Sequence, residues 1–189
     1  SPREIAALRQ EEASRGAEVI GAQLIWLDFD DEFLIDSRES RLRFIEAFRI
    51  ANPDVVICHW REDYNPDHSI SGIIVDECVH MLTVPNIVTA SLPGNKIPHV
   101  YYMDTIAGVN FVPELYVDIT SVFETKVKML GQHESQNSWM KDIFGYDMKS
   151  FLEIPARYRG LQAKCPMAEA FRPSYRWGRT FIKHYLPGS

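Results

Sequence analysis

Ten consecutive residues form the loop richest in reactive side chains: His59-Trp60-Arg61-Glu62-Asp63-Tyr64-Asn65-Pro66-Asp67-His68. The segment holds two imidazoles and three carboxylates. Neutral imidazole and carboxylate oxygen are the donors that zinc accepts. Asp67 and His68 are adjacent, so at most one of them faces a metal while the other braces a neighbour. His59 is available as a further donor. The same residues also admit a plainer arrangement, with Asp67 as a helix cap and His68 in a local hydrogen bond. Cys58 beside His59 has the look of an activated thiol, but alternate residues of a strand face opposite ways, which makes Cys58 a buried structural cysteine. His80, inside a helix, and His99, at a strand start, have no ligand-like neighbours in sequence.

The elements around this segment follow from apolar spacing and from Gly and Pro. Asp54–Cys58 reads as a buried strand that delivers His59 to its carboxyl end, and a helix with Asp67 at its N-cap follows, with a core face of Ile70, Ile73, Ile74, Cys78 and Leu82. Upstream, Ser1-Pro2 opens a helix that runs to Gly21, Ala22–Leu27 reads as a short strand, and Arg38–Ala51 reads as a helix that stops before Pro53. Downstream, Val84–Pro98 is a long loop of the kind that lids active sites. His99–Met103 and Leu115–Ile119 read as strands, and Ser121 with Glu124 as a capping box before a helix that Gly131 closes. Two more helices, near Ser135–Phe144 and Asp147–Ala163, precede a last strand at Ala168–Phe171. Helices alternating with short β-branched strands predict an α/β fold, a Rossmann-like three-layer α/β/α arrangement with a mostly parallel sheet. Such sheets bind ligands beyond the carboxyl ends of their strands, here the loops after Leu27, Cys58 and Met103.

Composition narrows the class. The chain has 189 residues with 46% hydrophobic and 24% charged residues, enough for a packed core, and a formal charge of −6. No apolar run approaches the ~20 residues of a membrane span. Arg172–Ser189 carries +4 and leaves −10 on residues 1–171. An acidic body of this kind is a poor partner for nucleic acid. The basic, aromatic segment 172–189 reads as a C-terminal strap packed on its own acidic body, and also as a candidate interface in a homo-oligomer. Three widely spaced cysteines fit a reduced, cytoplasmic protein. No Gly-x-Gly-x-x-Gly or P-loop is present.

A wider pattern gives these residues a context. Asn52-Pro53-Asp54-Val55-Val56-Ile57-Cys58-His59 and Asp63-Tyr64-Asn65-Pro66-Asp67-His68 resemble the second signature of the PIG-L/LmbE-like zinc de-N-acetylases. Arg9-Gln10-Glu11-Glu12 with Ile20-Gly21, Tyr116-Val117-Asp118-Ile119-Thr120, Lys126, His133-Glu134-Ser135-Gln136 and Ala168-Glu169-Ala170-Phe171 are similar to further landmarks of that family, in the same order. The resemblance implies a single domain over residues 1–189 that is N-terminally incomplete, its first strand and that strand's His-Pro-Asp-Asp-Glu motif being absent from this chain.

By the same resemblance, the reaction is removal of an N-acetyl or other acyl group from an amino sugar or related small metabolite. A Zn²⁺ ion serves as Lewis acid and activates the attacking water. His68 matches the zinc-ligating histidine, Arg9 and Asp28 match substrate-facing positions, and Asp67 matches an orienting carboxylate. Asn65 stands where many members have a histidine; an amide can donate a hydrogen bond to an oxyanion but cannot deliver a proton near neutral pH. A hydratase or lyase on the same zinc scaffold, and a non-catalytic binding module, are the alternatives. His133 and Gln136 are expected at a helix end, and Glu169 is expected to pair with an arginine.

Overall fold

The computed structural model describes residues 2–176 and 185–187. Contacts within the chain divide it into two compact units, Ser1–Asp28 with Asp118–Glu169, and Phe29–Val117 with Ala170–Ser189. The helices are α1 (Pro2–Glu18), α2 (Arg38–Ala51), α3 (Pro66–Cys78), α4 (Phe123–Leu130), α5 (Glu134–Phe144) and α6 (Met148–Ala163). The strands are β1 (Val55–Cys58), β2 (His99–Met103), β3 (Leu115–Asp118) and β4 (Ala168–Pro173), in spatial order β1-β2-β4-β3.

The α/β class holds, but the sheet is mixed rather than mostly parallel. β1 and β2 are parallel, with Val55 opposite His99 and Cys58 opposite Tyr102, as a strand–helix–strand crossover through α3 requires. β4 runs antiparallel to β2, with Tyr101 opposite Pro173. Glu114 N–H donates to Phe171 O and Ile119 N–H to Met167 O, so residue numbers rise along β3 as they fall along β4. Apolar spacing reports which residues are buried, not which way a strand points, so direction was not legible there. Residues 22–27, expected as a strand, lie outside the sheet without regular structure; an apolar run becomes a strand only when a ladder receives it. At the sheet edge, β1 leaves Ile57 48% exposed.

In the second unit α2 and α3 each feed two core clusters. Ile45 and Ile74 join Leu34 and Cys78 in one, while Phe48 and Val75 join Cys58, Val100 and Tyr102 in the other. α2 keeps its expected bounds because both ends are specified: Ser37 and Ser40 form a capping box, and Asn52 closes the helix in the left-handed region at φ 42°. The long loop after α3 is pinned to α2, because Glu46 accepts from Ser91 N and Oγ (3.0 and 2.6 Å) while buried Arg49 donates to Leu82 O and Val84 O.

In the first unit α1 packs on α4 and α5. Its buried Glu12 accepts Ser135 N (2.8 Å) and Ser135 Oγ (2.7 Å), satisfying the first turn of α5 from outside. Burial alone raises the Glu12 pKa, but the two Ser135 bonds outweigh it and hold the carboxyl below its ordinary value. The expected Ser121–Glu124 capping box does not form. A 3₁₀ turn, Thr120–Val122, precedes α4, and Asp118 accepts Thr120 N (2.8 Å) instead. Glu169 pairs with Lys126 rather than with an arginine.

The described start of the basic strap meets carboxylates of its own unit: Arg172 and Tyr175 reach Glu114 (3.1 and 2.8 Å), and Arg176 reaches buried Asp76, which also accepts from Ser174. Residues 177–184 of the strap lie outside the described residues.

Candidate metal centre

Pro66 fixes where α3 begins. Its ring presets the helical φ and it has no N–H to satisfy, so it occupies the first helical position and the cap falls on the preceding residue. The N-cap is therefore Asn65, not Asp67: Asn65 Oδ1 accepts Asp67 N (2.8 Å) and His68 N (3.2 Å). This places His68 in the first turn of α3, directly after the loop that leaves β1.

Asp63, two residues before the cap, folds back alongside that turn. Its side chain is only 3% exposed, accepts Asn65 N (2.9 Å) and lies 3.2 Å from His68 Nδ1. An Nδ1–H donated to Asp63 leaves Nε2 as the lone-pair nitrogen, the tautomer a metal-binding histidine needs. His59 stacks on His68 with ring centroids 4.1 Å apart and planes 5° apart. Burial, and then the neighbouring His68, lower the His59 pKa to about 4, against an opposing effect of Asp63, so His59 is neutral near pH 7. The stack depends on a bare backbone. A Cβ on Gly72 would stand 2.3 Å from His59 O, so only glycine lets α3 approach the end of β1 this closely. Tyr64 meets His68 edge-on at 6.2 Å.

The remaining expected site residues have other surroundings. The Asp67 carboxylate accepts the backbone N–H groups of Glu32 (2.7 Å) and Leu34 (3.0 Å), and makes no hydrogen bond to His68; the brace on His68 comes from Asp63. Asn65 Nδ2 donates to Glu32 Oε1 (2.8 Å). Arg9, half-buried on α1, and Asp28, exposed at φ 54° and accepting Trp26 Nε1 (3.3 Å), belong to the other unit. There, His133 stands at the N-cap position of α5 without a side-chain capping hydrogen bond, and Gln136 Nε2 donates to Ser135 Oγ (3.4 Å). A concavity of about 410 Å³ in the second unit is lined by Arg38, Ile45, Ile87 and Val88 and excludes His68.

Sequence reasoning missed Asp63 and Glu32. The signal for Asp63 was present in Asn65-Pro66: once proline sets the helix start, the residue two before the cap runs beside the first turn. Glu32 sits 33 positions before Asn65, and no local pattern links them.

As to metal, His68 with a carboxylate behind it suits one ligand position. Among the described residues no three His, Cys, Asp or Glu side chains form a metal-holding group, so His68 fits as one member of a set and not as a complete site.

The PIG-L family model, described as GlcNAc-PI de-N-acetylase, matches residues 1–79, which include the whole β1–α3 segment. The diacetylchitobiose deacetylase of Thermococcus kodakarensis is 31% identical over 180 residues, 91% of this chain and 64% of that protein. The 4-oxalmesaconate hydratase of Pseudomonas putida is 28% identical over 127 residues, 62% of this chain and 46% of that protein. In the solved N,N'-diacetylchitobiose deacetylase of Pyrococcus horikoshii, the fold superposes with a TM-score of 0.75 at 27% identity, over 90% of this chain and 64% of that one. The chain thus spans less than two thirds of the length of the curated relatives it matches. A shared fold, a matched signature around His68 and similarity along nearly the whole chain lead to one conclusion: it belongs to the PIG-L/LmbE-like de-N-acetylase family.

Proposed function

We propose that the protein is a metal-dependent amidohydrolase that removes an N-acetyl group from an amino sugar or related small metabolite. The observation that carries this reading is His68 beyond the carboxyl end of β1, with Nδ1 3.2 Å from the buried Asp63 carboxylate and its ring stacked on His59. Zn²⁺ is the proposed metal, with His68 holding it through Nε2, and when bound it supplies Lewis-acid polarisation of the amide carbonyl. Asn65 has one amide hydrogen engaged by Glu32; its second donates to the oxygen on which charge develops. Asp67 keeps the loop at residues 32–34 against the start of α3. Arg9 and Asp28 enter the proposal through the sequence resemblance, as contacts to polar groups of the substrate.

The substrate is a small neutral molecule, which the acidic surroundings of His68 admit without charge repulsion: Glu32, Asp63 and Asp67 all belong to one hydrogen-bonded network there. Among the described residues no helix is long and apolar enough to cross a membrane. The three cysteines are free thiols, and we place the protein in the reducing cytoplasm.

Asn65 in place of the family's histidine, with the similarity to a hydratase, favours a second reading, hydration of an unsaturated acid on the same scaffold. Acetate release from N-acetylglucosamine and N,N'-diacetylchitobiose, run beside hydration of an unsaturated dicarboxylic acid, separates the two. Acetate release alone supports the deacetylase; hydration alone overturns it.

A further inference from the structure

The concavity of about 410 Å³ in the second unit is lined by two arginines, Arg38 and Arg41, by one amide, Asn86, and by no carboxylate, in a chain whose formal charge is −6. Leu42 and Ile45 of α2, with Met81 and Ile87, make its apolar wall. Ile45 belongs to the core cluster of Leu34, Ile74 and Cys78. Met81 and Ile87 pack against that cluster while only partly buried, so the wall is the solvent-reaching side of the core. Two hydrogen bonds tie the loop to α2 on either side of residues 86–88: Arg49 Nη2 donates to Val84 O (2.9 Å), and Glu46 accepts Ser91 N (3.0 Å).

The two arginines differ in what they already hold. Arg41 donates to Asp36 and to Glu77 (2.8 Å), neither of which lines the concavity. Arg38 is exposed in the first turn of α2 and makes no ion pair among the described residues, while its neighbour Glu39 is taken by Arg43 (2.7 Å). One guanidinium therefore stands uncompensated beside an apolar wall. A carboxylate is its geometric complement, accepting two parallel N–H bonds, and an apolar tail is the complement of the wall. The volume lies near the lower end of the roughly 300–1,000 Å³ typical of small-molecule sites. A loop that α2 already fixes costs little to order when a ligand binds.

We infer that this concavity is a binding site for a small amphipathic carboxylate, with the head group paired to Arg38 and the apolar tail laid on Leu42, Ile45, Met81 and Ile87. The site shares no lining residue with the surroundings of His68, so it stands or falls independently of the de-N-acetylase reading.

Sodium octanoate is the probe, titrated into the full chain by isothermal calorimetry and by methyl NMR, beside 1-octanol, which lacks the charge, and acetate, which lacks the tail. Octanoate should bind with a roughly millimolar or lower dissociation constant, about tenfold more tightly than either control, and should shift the methyl resonances of Leu42, Ile45, Met81 and Ile87. Arg38→Glu separates binding from folding. An acid in the first turn complements the helix dipole, so α2 keeps its stability, yet the reversed charge should weaken octanoate binding at least about tenfold. Arg38→Lys should retain most of the affinity. Equal binding of octanol and octanoate, octanoate binding indifferent to Arg38→Glu, methyl shifts confined to other residues, or no octanoate binding up to about 10 mM would each overturn the inference. So would wild-type self-association in sedimentation that Arg38→Glu abolishes and octanoate leaves undisturbed, because a second copy of the chain would then occupy the groove.

Discussion

Gly72 on α3 passes so near His59 that a single added carbon would meet the His59 carbonyl oxygen at 2.3 Å. That approach is what brings the His59 ring flat against His68, 4.1 Å away. A helix that had to stand off by the width of a methyl group would separate the two imidazoles.

Gly72→Ala should therefore act on both stability and site. Overpacking against backbone costs about 1–3 kcal/mol, which urea unfolding would read as a lowered midpoint at unchanged slope. In NMR spectra of the folded variant the His68 ring protons should lose the ring-current shift of the stack. A variant as stable as wild type with unchanged imidazole resonances would contradict the packing described.

Asp63→Ala removes the acceptor behind His68 Nδ1 and leaves Asn65 N–H without its partner. Loss of such a carboxylate typically lowers metal affinity 10- to 100-fold. Competition with a chromogenic zinc chelator should show that drop in Asp63→Ala; an equal change in Asp67→Ala would mean that the carboxylates have been assigned the wrong way round.

The buried Glu12–Ser135 contact should appear as acid sensitivity. The Glu12 carboxyl is held below its ordinary value in the folded chain, so its ionised form stabilises the fold at every pH above the unfolded pKa of ~4.3. That contribution disappears as pH falls through the folded pKa. Urea midpoints measured from pH 7 to pH 3 should fall less steeply in Glu12→Gln than in wild type, and parallel curves would contradict the assignment.

Asp76 is 1% exposed and receives hydrogen bonds from both Ser174 and Arg176. Arg176→Ala withdraws a charged donor from a buried carboxylate, for about 1–3 kcal/mol. Arg176→Lys should recover part of the loss. If Arg176→Ala unfolds at the same urea concentration as wild type, the strap contact is not a source of stability.

Legibility in sequence tracked how local the determining interaction is. α2 was readable to the residue, because Ser37, Ser40, Asn52 and Pro53 specify its ends within a few positions. The cap of α3 was misplaced by two residues, since Asp67 and Asn65 are both good caps and only Pro66 decides between them. His68 was readable as a candidate metal ligand from its neighbours and the family pattern, and the ligand role itself is a proposal. Its brace by Asp63, its stack on His59 and the Asp67 clamp on residues 32–34 were not, because each depends on how the β1–α3 loop and a distant segment fold onto one helix end. The strand expected at 22–27 failed for the complementary reason: an apolar run carries no record of whether a ladder stands ready to accept it.

We propose His68 as a metal ligand of a de-N-acetylase. Its most direct test is elemental analysis of the purified natural protein and its His68→Ala variant, with acetate release from N,N'-diacetylchitobiose measured on the same samples. One zinc per chain and acetate release in the wild type, both lost in the variant, is the predicted result. Zinc that persists at full stoichiometry in His68→Ala, or a zinc-loaded wild type that releases no acetate, would contradict it.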